Sequence, residues 1–109
     1  MSLAELHQLM LTLEIPVAYD HFQTEQKPPF IAYRVLTENF NTADSKTALR
    51  TANIELSYCT ELRNIPFERR IEQLLEDSGL TFDKSFLYLN SQSMYQIDYR
   101  FFPIEGSEK

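Results

Sequence analysis

The sequence predicts an α+β domain: a mostly antiparallel sheet of about five strands with two helices on one face, in the order αβββαββ. Three observations carry that prediction. Two segments repeat apolar residues at helical spacing between recognisable start and stop residues. Five others are rich in β-branched and aromatic side chains and run or alternate apolar. The length, 109 residues, suits one domain (residues 1–109) with one modest core.

The first helix is expected from about Ser2 to Glu14. Ser2 can cap it, with Glu5 three residues on, and Leu3, Leu6, Leu9, Met10 and Leu13 form its apolar stripe. Pro16 stops it, because the residue before a proline is pushed out of the helical region. A short strand from Val17 to Phe22 follows, then a polar stretch that closes on Pro28 and Pro29. Phe30 to Thr37 is the clearest strand, apolar on both faces apart from Arg34, which predicts a central place in the sheet.

Glu38 to Ala48 has no period and is rich in Asn, Thr, Asp and Ser, so a long flexible loop is expected over 38–48. Leu49 to Thr60 alternates again. Arg50, Ala52, Ile54, Leu56 and Tyr58 are expected on one face, with Asn53, Glu55, Ser57 and Cys59 on a wetter one. The second helix begins near Pro66, a residue suited to a first turn, and stops at Gly79. Phe67, Ile71, Leu74 and Leu75 are its inner stripe; Glu68, Arg69, Glu72, Gln73, Glu76 and Asp77 are expected outside. Thr81 to Leu89 and Met94 to Ile104 form a last hairpin around a turn at Asn90 to Ser93, and residues 105–109 are expected to fray.

Composition excludes several functions. Asp plus Glu is 16 against 10 for Lys plus Arg, a formal charge of −6 that repels phosphate backbones and argues against sequence-independent DNA or RNA binding, and no specific nucleic-acid partner is expected. The one adjacent basic pair, Arg69 and Arg70, is surrounded by acids. One Cys forms neither an internal disulfide nor a thiolate zinc cage. No apolar run approaches the ~20 residues of a membrane span, and the start MSLAELHQLM lacks the basic opening of a secretion signal, so a cytoplasmic chain with no membrane partner is expected. Only 2 glycines leave no phosphate loop. The 8 Phe and 6 Tyr have two readings: apolar surface in excess of what a domain this small hides, which points to a subunit interface, or aromatics that simply fill the core.

No catalytic constellation emerges, so no enzyme is expected. Cys59 has no base nearby in sequence. Asp20 and His21, as neighbours on one strand, should face opposite ways and form no dyad. His7 falls at the polar boundary of the first helix, exposed to solvent. Two His without a paired-ligand spacing predict no metal. Asp20, Glu55 and Asp98 alternate with apolar residues and read as a wet sheet face, where Asp98 can pair across strands with Arg100 and Arg34. What remains is recognition by surface, and Phe40, an aromatic in a polar loop, is its most suggestive residue.

The stretches Met1 to Met10 (MSLAELHQLM), Ile15 to Phe22 (IPVAYDHF) and Lys27 to Arg34 (KPPFIAYR) lead into the strand Asn53 to Tyr58. The helix Glu68 to Leu75 and the closing strand Met94 to Tyr99 come after it. Together, over nearly the full length, they resemble the head–tail connector and tail-completion (tail terminator) proteins of tailed bacteriophages and prophages of Gram-positive bacteria. The resemblance implies a sheet carrying two helices and a ring of subunits, commonly a hexamer. Such a ring caps the tail tube and meets the major tail protein and head connector proteins. It implies neither catalytic residues nor a cofactor, and a place first in the host bacterial cytoplasm and then in the virion. On that basis Phe40, Asp44, Lys46 and Arg50 become the candidate contact residues. The alternative is a small acidic binding or inhibitor protein that mimics nucleic acid.

Overall fold

A computed structural model describes residues 3–40 and 50–105. The elements in order are α1 (Leu3–Leu11), β1 (Val17–Tyr19), β2 (Phe30–Phe40), β3 (Arg50–Thr60), α2 (Ile65–Asp77), β4 (Phe82–Leu89), a 3₁₀ turn (Asn90–Gln92) and β5 (Met94–Glu105). This is the predicted αβββαββ order. The five strands form one sheet, β1-β2-β3-β5-β4.

The sheet is mixed. β1 pairs parallel with β2, Val17 opposite Ile31 and Tyr19 opposite Tyr33, while every other pairing is antiparallel. β2 is therefore interior but not central; β3 holds the middle. β1 is only three residues long. It ends because Asp20 takes a left-handed backbone (φ 69), so the expected strand through Phe22 stops at Tyr19.

Alternation sorts the side chains. On one face, Ile31, Tyr33, Ile54, Leu56, Tyr58, Ile97, Tyr99 and Phe101 join Leu6 and Met10 of α1 and Ile71 and Leu75 of α2 in a single buried cluster. Both helices therefore cover the same face, as the sequence predicted. Phe67 of α2 stacks on Tyr58, ring centroids 4.9 Å apart.

Helix ends follow their residues. α1 tightens after Leu11 through bonds from Thr12, Leu13 and Glu14 to carbonyls three residues back, so regular helix stops short of the expected Glu14. The proposed cap, Ser2, lies outside the described residues. α2 starts one residue before Pro66: the Asn64 side chain caps it by accepting from the Phe67 N–H at 3.1 Å. At the other end, Gly79 (φ 81) sends its N–H to Glu76 and Leu80 sends its own back to Leu75, the two-bond closure a left-handed glycine allows.

Two irregularities bend the long strands. Leu36 is an extra residue in β2 between the pairs Val35–Ile54 and Thr37–Asn53. In β5, Phe102 and Pro103 lie between the pairs Ile54–Phe101 and Ala52–Ile104, which places Pro103, with no N–H to give, at a bulge. Beyond these points β2 and β3 continue to the pair Phe40–Arg50 and β5 runs to Glu105. The first three residues of the expected 38–48 loop are therefore strand, and so is Glu105 of the expected frayed tail; 41–49 and 106–109 lie outside the described residues.

Candidate functional site

Three places gather polar or exposed chemistry. The first is the sheet face the helices leave open. Register lines up Arg34, Glu55 and Arg100 across β2, β3 and β5, and Ala32, Ser57 and Asp98 in the next row. Both arginines grip Glu55, Arg34 through Nη2 and Arg100 through Nε at 3.1 Å. Asp98 accepts from the Ser57 hydroxyl at 2.7 Å and from Gln96 Nε2 at 2.9 Å, and Arg100 reaches it at 4.0 Å. The expected cross-strand pairs of Asp98 do not form: Arg34 goes to Glu55, and Arg100, on the same strand as Asp98, makes its cross-strand pair with Glu55 too. The face is also drier than predicted: Glu55, Ser57, Cys59 and Asp98 are all buried. Burial first, then the Asp98 charge, pushes the Cys59 thiol up to about 11, away from nucleophilic use.

At one end of that face the segment from Asp20 to Pro28 arches over Phe30 and Ala32 and meets Ser91, Gln92 and Met94, leaving an open groove of about 560 Å³. Asp20 and His21 line it. They do form a pair, Oδ2 to Nδ1 at 3.0 Å, because β1 has already ended and strand alternation no longer separates them. Both are exposed, and neither Glu55 nor Asp98 lines the groove. Among the described residues no three His, Cys, Asp or Glu side chains gather to hold a metal ion.

The second place joins α2 to β4 and β5. Glu68 and Glu72, one helical turn apart, were expected outside; Glu68 is fully buried and Glu72 half-buried. Arg63 donates to Glu68 through Nε at 2.8 Å and Nη2 at 3.1 Å. Lys84 of β4 bridges Glu68 at 2.9 Å and Glu72 at 2.6 Å, and the Tyr99 hydroxyl donates to Glu72 at 2.9 Å. Burial pushes the Glu68 carboxyl up, but donation from Arg63 and Lys84 outweighs it and holds the group below the usual carboxylate range. Burial, then the bond to Glu72, raises Tyr99 far above its ordinary value. Two carboxylates and two cations thus fasten the edge strand to the helix.

His7 also departs from expectation: it is half-buried, and its Nδ1 lies 2.8 Å from the Tyr33 hydroxyl. Arg70 lies over the Phe67 ring at 5.3 Å.

The third place is the outer edge of β4. Phe86, Leu87 and Tyr88 are 57%, 43% and 46% exposed, on a strand with no partner on that side among the described residues. The Arg63 guanidinium sits 4.3 Å above the Phe86 ring, and Tyr88 meets Tyr95 edge-on at 4.9 Å. Nothing in the sequence set this strand apart from its neighbours, because exposure depends on its place in the sheet order.

Of the four predicted contact residues, Phe40 and Arg50 are brought together as the last pair of the β2–β3 ladder, and Asp44 and Lys46 lie outside the described residues. No helix among the described residues is long and apolar enough to cross a membrane.

No family model and no curated protein matches this chain. Its fold is similar to that of a chain in a solved structure of the virion of a native gene transfer agent particle. The identity is 14%, the match covers 84% of this chain and 81% of that one, and the TM-score is 0.51. At that identity what is shared is the fold.

Proposed function

We propose that this chain is a structural protein of a phage-like particle, a tail-completion protein of Gram-positive phages or prophages. Its subunits close into a ring, a hexamer by the resemblance, that caps the tail tube and joins it to the head. It performs no catalysis and needs no cofactor. Its partners are copies of itself, the major tail protein and the head connector, with no specific nucleic acid and no membrane. It assembles in the host cytoplasm and stays at the head–tail interface.

The observation that carries this reading is the free β4 edge. Sheet edges that stay monomeric are blunted by charge, proline or cover. Here Lys84 is consumed by Glu68 and Glu72, the Arg63 guanidinium over the Phe86 ring is itself held by Glu68, and the three residues Phe86 to Tyr88 are uncharged and exposed. The shared fold with a virion chain supports the same reading. The net charge of −6 suits a ring whose lumen lets DNA slide. A nucleic-acid mimic is less favoured: it needs unanswered acids in array, whereas Glu55 lies between two arginines.

Phe40, Asp44, Lys46 and Arg50, on and beyond the β2–β3 ladder, are the residues offered to tube or connector in this reading. Mass photometry of the purified protein with and without isolated tail tubes tests it. A discrete ring, or a mass bound to tube ends, is expected; a strict monomer that ignores tubes overturns it. Phe40→Ala with Lys46→Ala should keep the fold and abolish head–tail joining, and unchanged virion yield refutes the contact assignment.

A further inference from the structure

Among the described residues the sheet has a second edge without a partner, β1, at the opposite end of the strand order. We propose that the outer edge of β4 in one copy pairs antiparallel with β1 of the next copy, so that a single sheet continues from subunit to subunit. This deepens, and rests on, the ring reading above.

The two edges fit in direction, chemistry and face. β1 runs parallel to β2, and β4 is antiparallel to β5; following the order, β1 of a next copy in the same orientation lies antiparallel to β4. Each edge offers an uncharged triplet, Val17-Ala18-Tyr19 and Phe86-Leu87-Tyr88. Pairing Ala18 with Leu87 sets Tyr19 against Phe86 and Val17 against Tyr88, aromatic and aliphatic groups that are favourable cross-strand neighbours. Tyr19 meets Tyr33 edge-on at 5.4 Å and, 50% exposed, keeps an open side for that contact.

The faces agree too. One register row runs Val17, Ile31, Tyr58, Ile97, Phe86 and the next Tyr19, Tyr33, Leu56, Tyr99, Lys84, so Val17, Tyr19, Phe86 and Tyr88 all stand on the helix-covered side. Ala18 and Leu87 share the open side. The ends of the match are also defined. Pro16, with no N–H to give, comes opposite Leu89. Asp20 comes opposite Ser85, where its left-handed backbone (φ 69) ends the strand.

Symmetry and area choose a ring over a pair. The two edges differ, so the contact is head-to-tail and repeats until it closes. A three-residue strand pairing is small against the ~1,000 Å² that a stable two-body interface needs. One contact is weak, and closure, which gives every subunit two, is what stabilises the assembly.

The test is oxidative cross-linking of Ala18→Cys/Leu87→Cys in a Cys59→Ala background. Within one subunit the two positions are four strand spacings apart, about 19 Å, far beyond disulfide reach. Opposite residues on paired strands have Cβ atoms about 5 Å apart, close to the reach of a disulfide. The double variant should give a ladder of covalent multimers that ends at the ring size, and each single variant should give no dimer. Dimers from Leu87→Cys alone mean β4 pairs with itself and overturn the proposal. Rings by mass photometry with no ladder overturn the edge pairing and leave the ring standing. A monomer at every concentration, with or without tubes, overturns both. Circular dichroism of each variant confirms the fold, and a bismaleimide repeats the test without the geometric demands of a disulfide.

Discussion

Arg63 clasps Glu68 with two hydrogen bonds, Nε to one carboxylate oxygen at 2.8 Å and Nη2 to the other at 3.1 Å. The carboxylate is fully buried in the first turn of α2, and the guanidinium reaches it from the link between β3 and the helix. The same guanidinium covers Phe86 on the edge strand. One side chain therefore joins the helix start, the link and the free edge of the sheet.

Removing it should be costly. Breaking a buried ion pair by deleting one partner costs about 3–5 kcal/mol when the other is left alone. Glu68 keeps Lys84, so Arg63→Ala should cost about 2 kcal/mol, seen as a lower urea midpoint with an unchanged slope. A change under about 0.5 kcal/mol means Lys84 alone suffices.

The same carboxylate sets an acid limit. Its folded pKa lies below the ordinary 4.5, so the unfolded chain takes up a proton first as pH falls. The stabilisation is complete well above 4.5 and is lost as pH drops through 4.5 towards the lower folded value. Arg63 and Lys84 stay charged throughout, and Glu72 and Tyr99 face the same cluster. Urea midpoints from pH 7 to 3 should fall for the native sequence, and Glu68→Gln should flatten part of that fall. Parallel curves for the two proteins exclude Glu68 as the source.

How much of this was legible in the sequence depends on range. The ends of α2 were, because Pro66 and Gly79 act within one turn. The strand segments were, because alternation is local, and so was the shared core face of Ile54, Leu56 and Tyr58. Glu68 was not: its place in the helical pattern reads as outer, and only Arg63 and Lys84 make its burial tolerable. Parallel pairing of β1 was hidden because three residues carry no directional signal. Asp20 and His21 were misjudged because the left-handed turn at Asp20 could not be foreseen. Phe40 was legible as an aromatic out of place, but not as a strand residue opposite Arg50.

Cys59 gives a chemical check on the open face. It is buried beside Asp98, with its thiol pushed up to about 11 from an ordinary 9.0. Two units reduce the thiolate at pH 8 about 100-fold before any steric protection. The more basic thiolate regains up to about tenfold in nucleophilicity, so reaction with a disulfide reagent should be at least about tenfold slower in the folded protein than in urea. Equal rates mean the sheet opens to solvent at Cys59.

Leu56 and Leu87 separate folding from assembly. Leu56 is fully buried in the middle strand, within the cluster that both helices cover. Leu56→Ala removes a packed side chain and leaves a cavity, so it should cost about 2–5 kcal/mol in urea denaturation. Leu87 is 43% exposed on the outermost strand and packs against no helix. Leu87→Thr keeps a strand-forming residue and should leave the unfolding midpoint within about 0.5 kcal/mol of the native value. Its effect should appear instead in the mass distribution, as rings give way to monomers at the same concentration. Loss of stability without loss of rings at Leu87 makes it an ordinary packing residue, and the apolar edge then has no part in joining subunits.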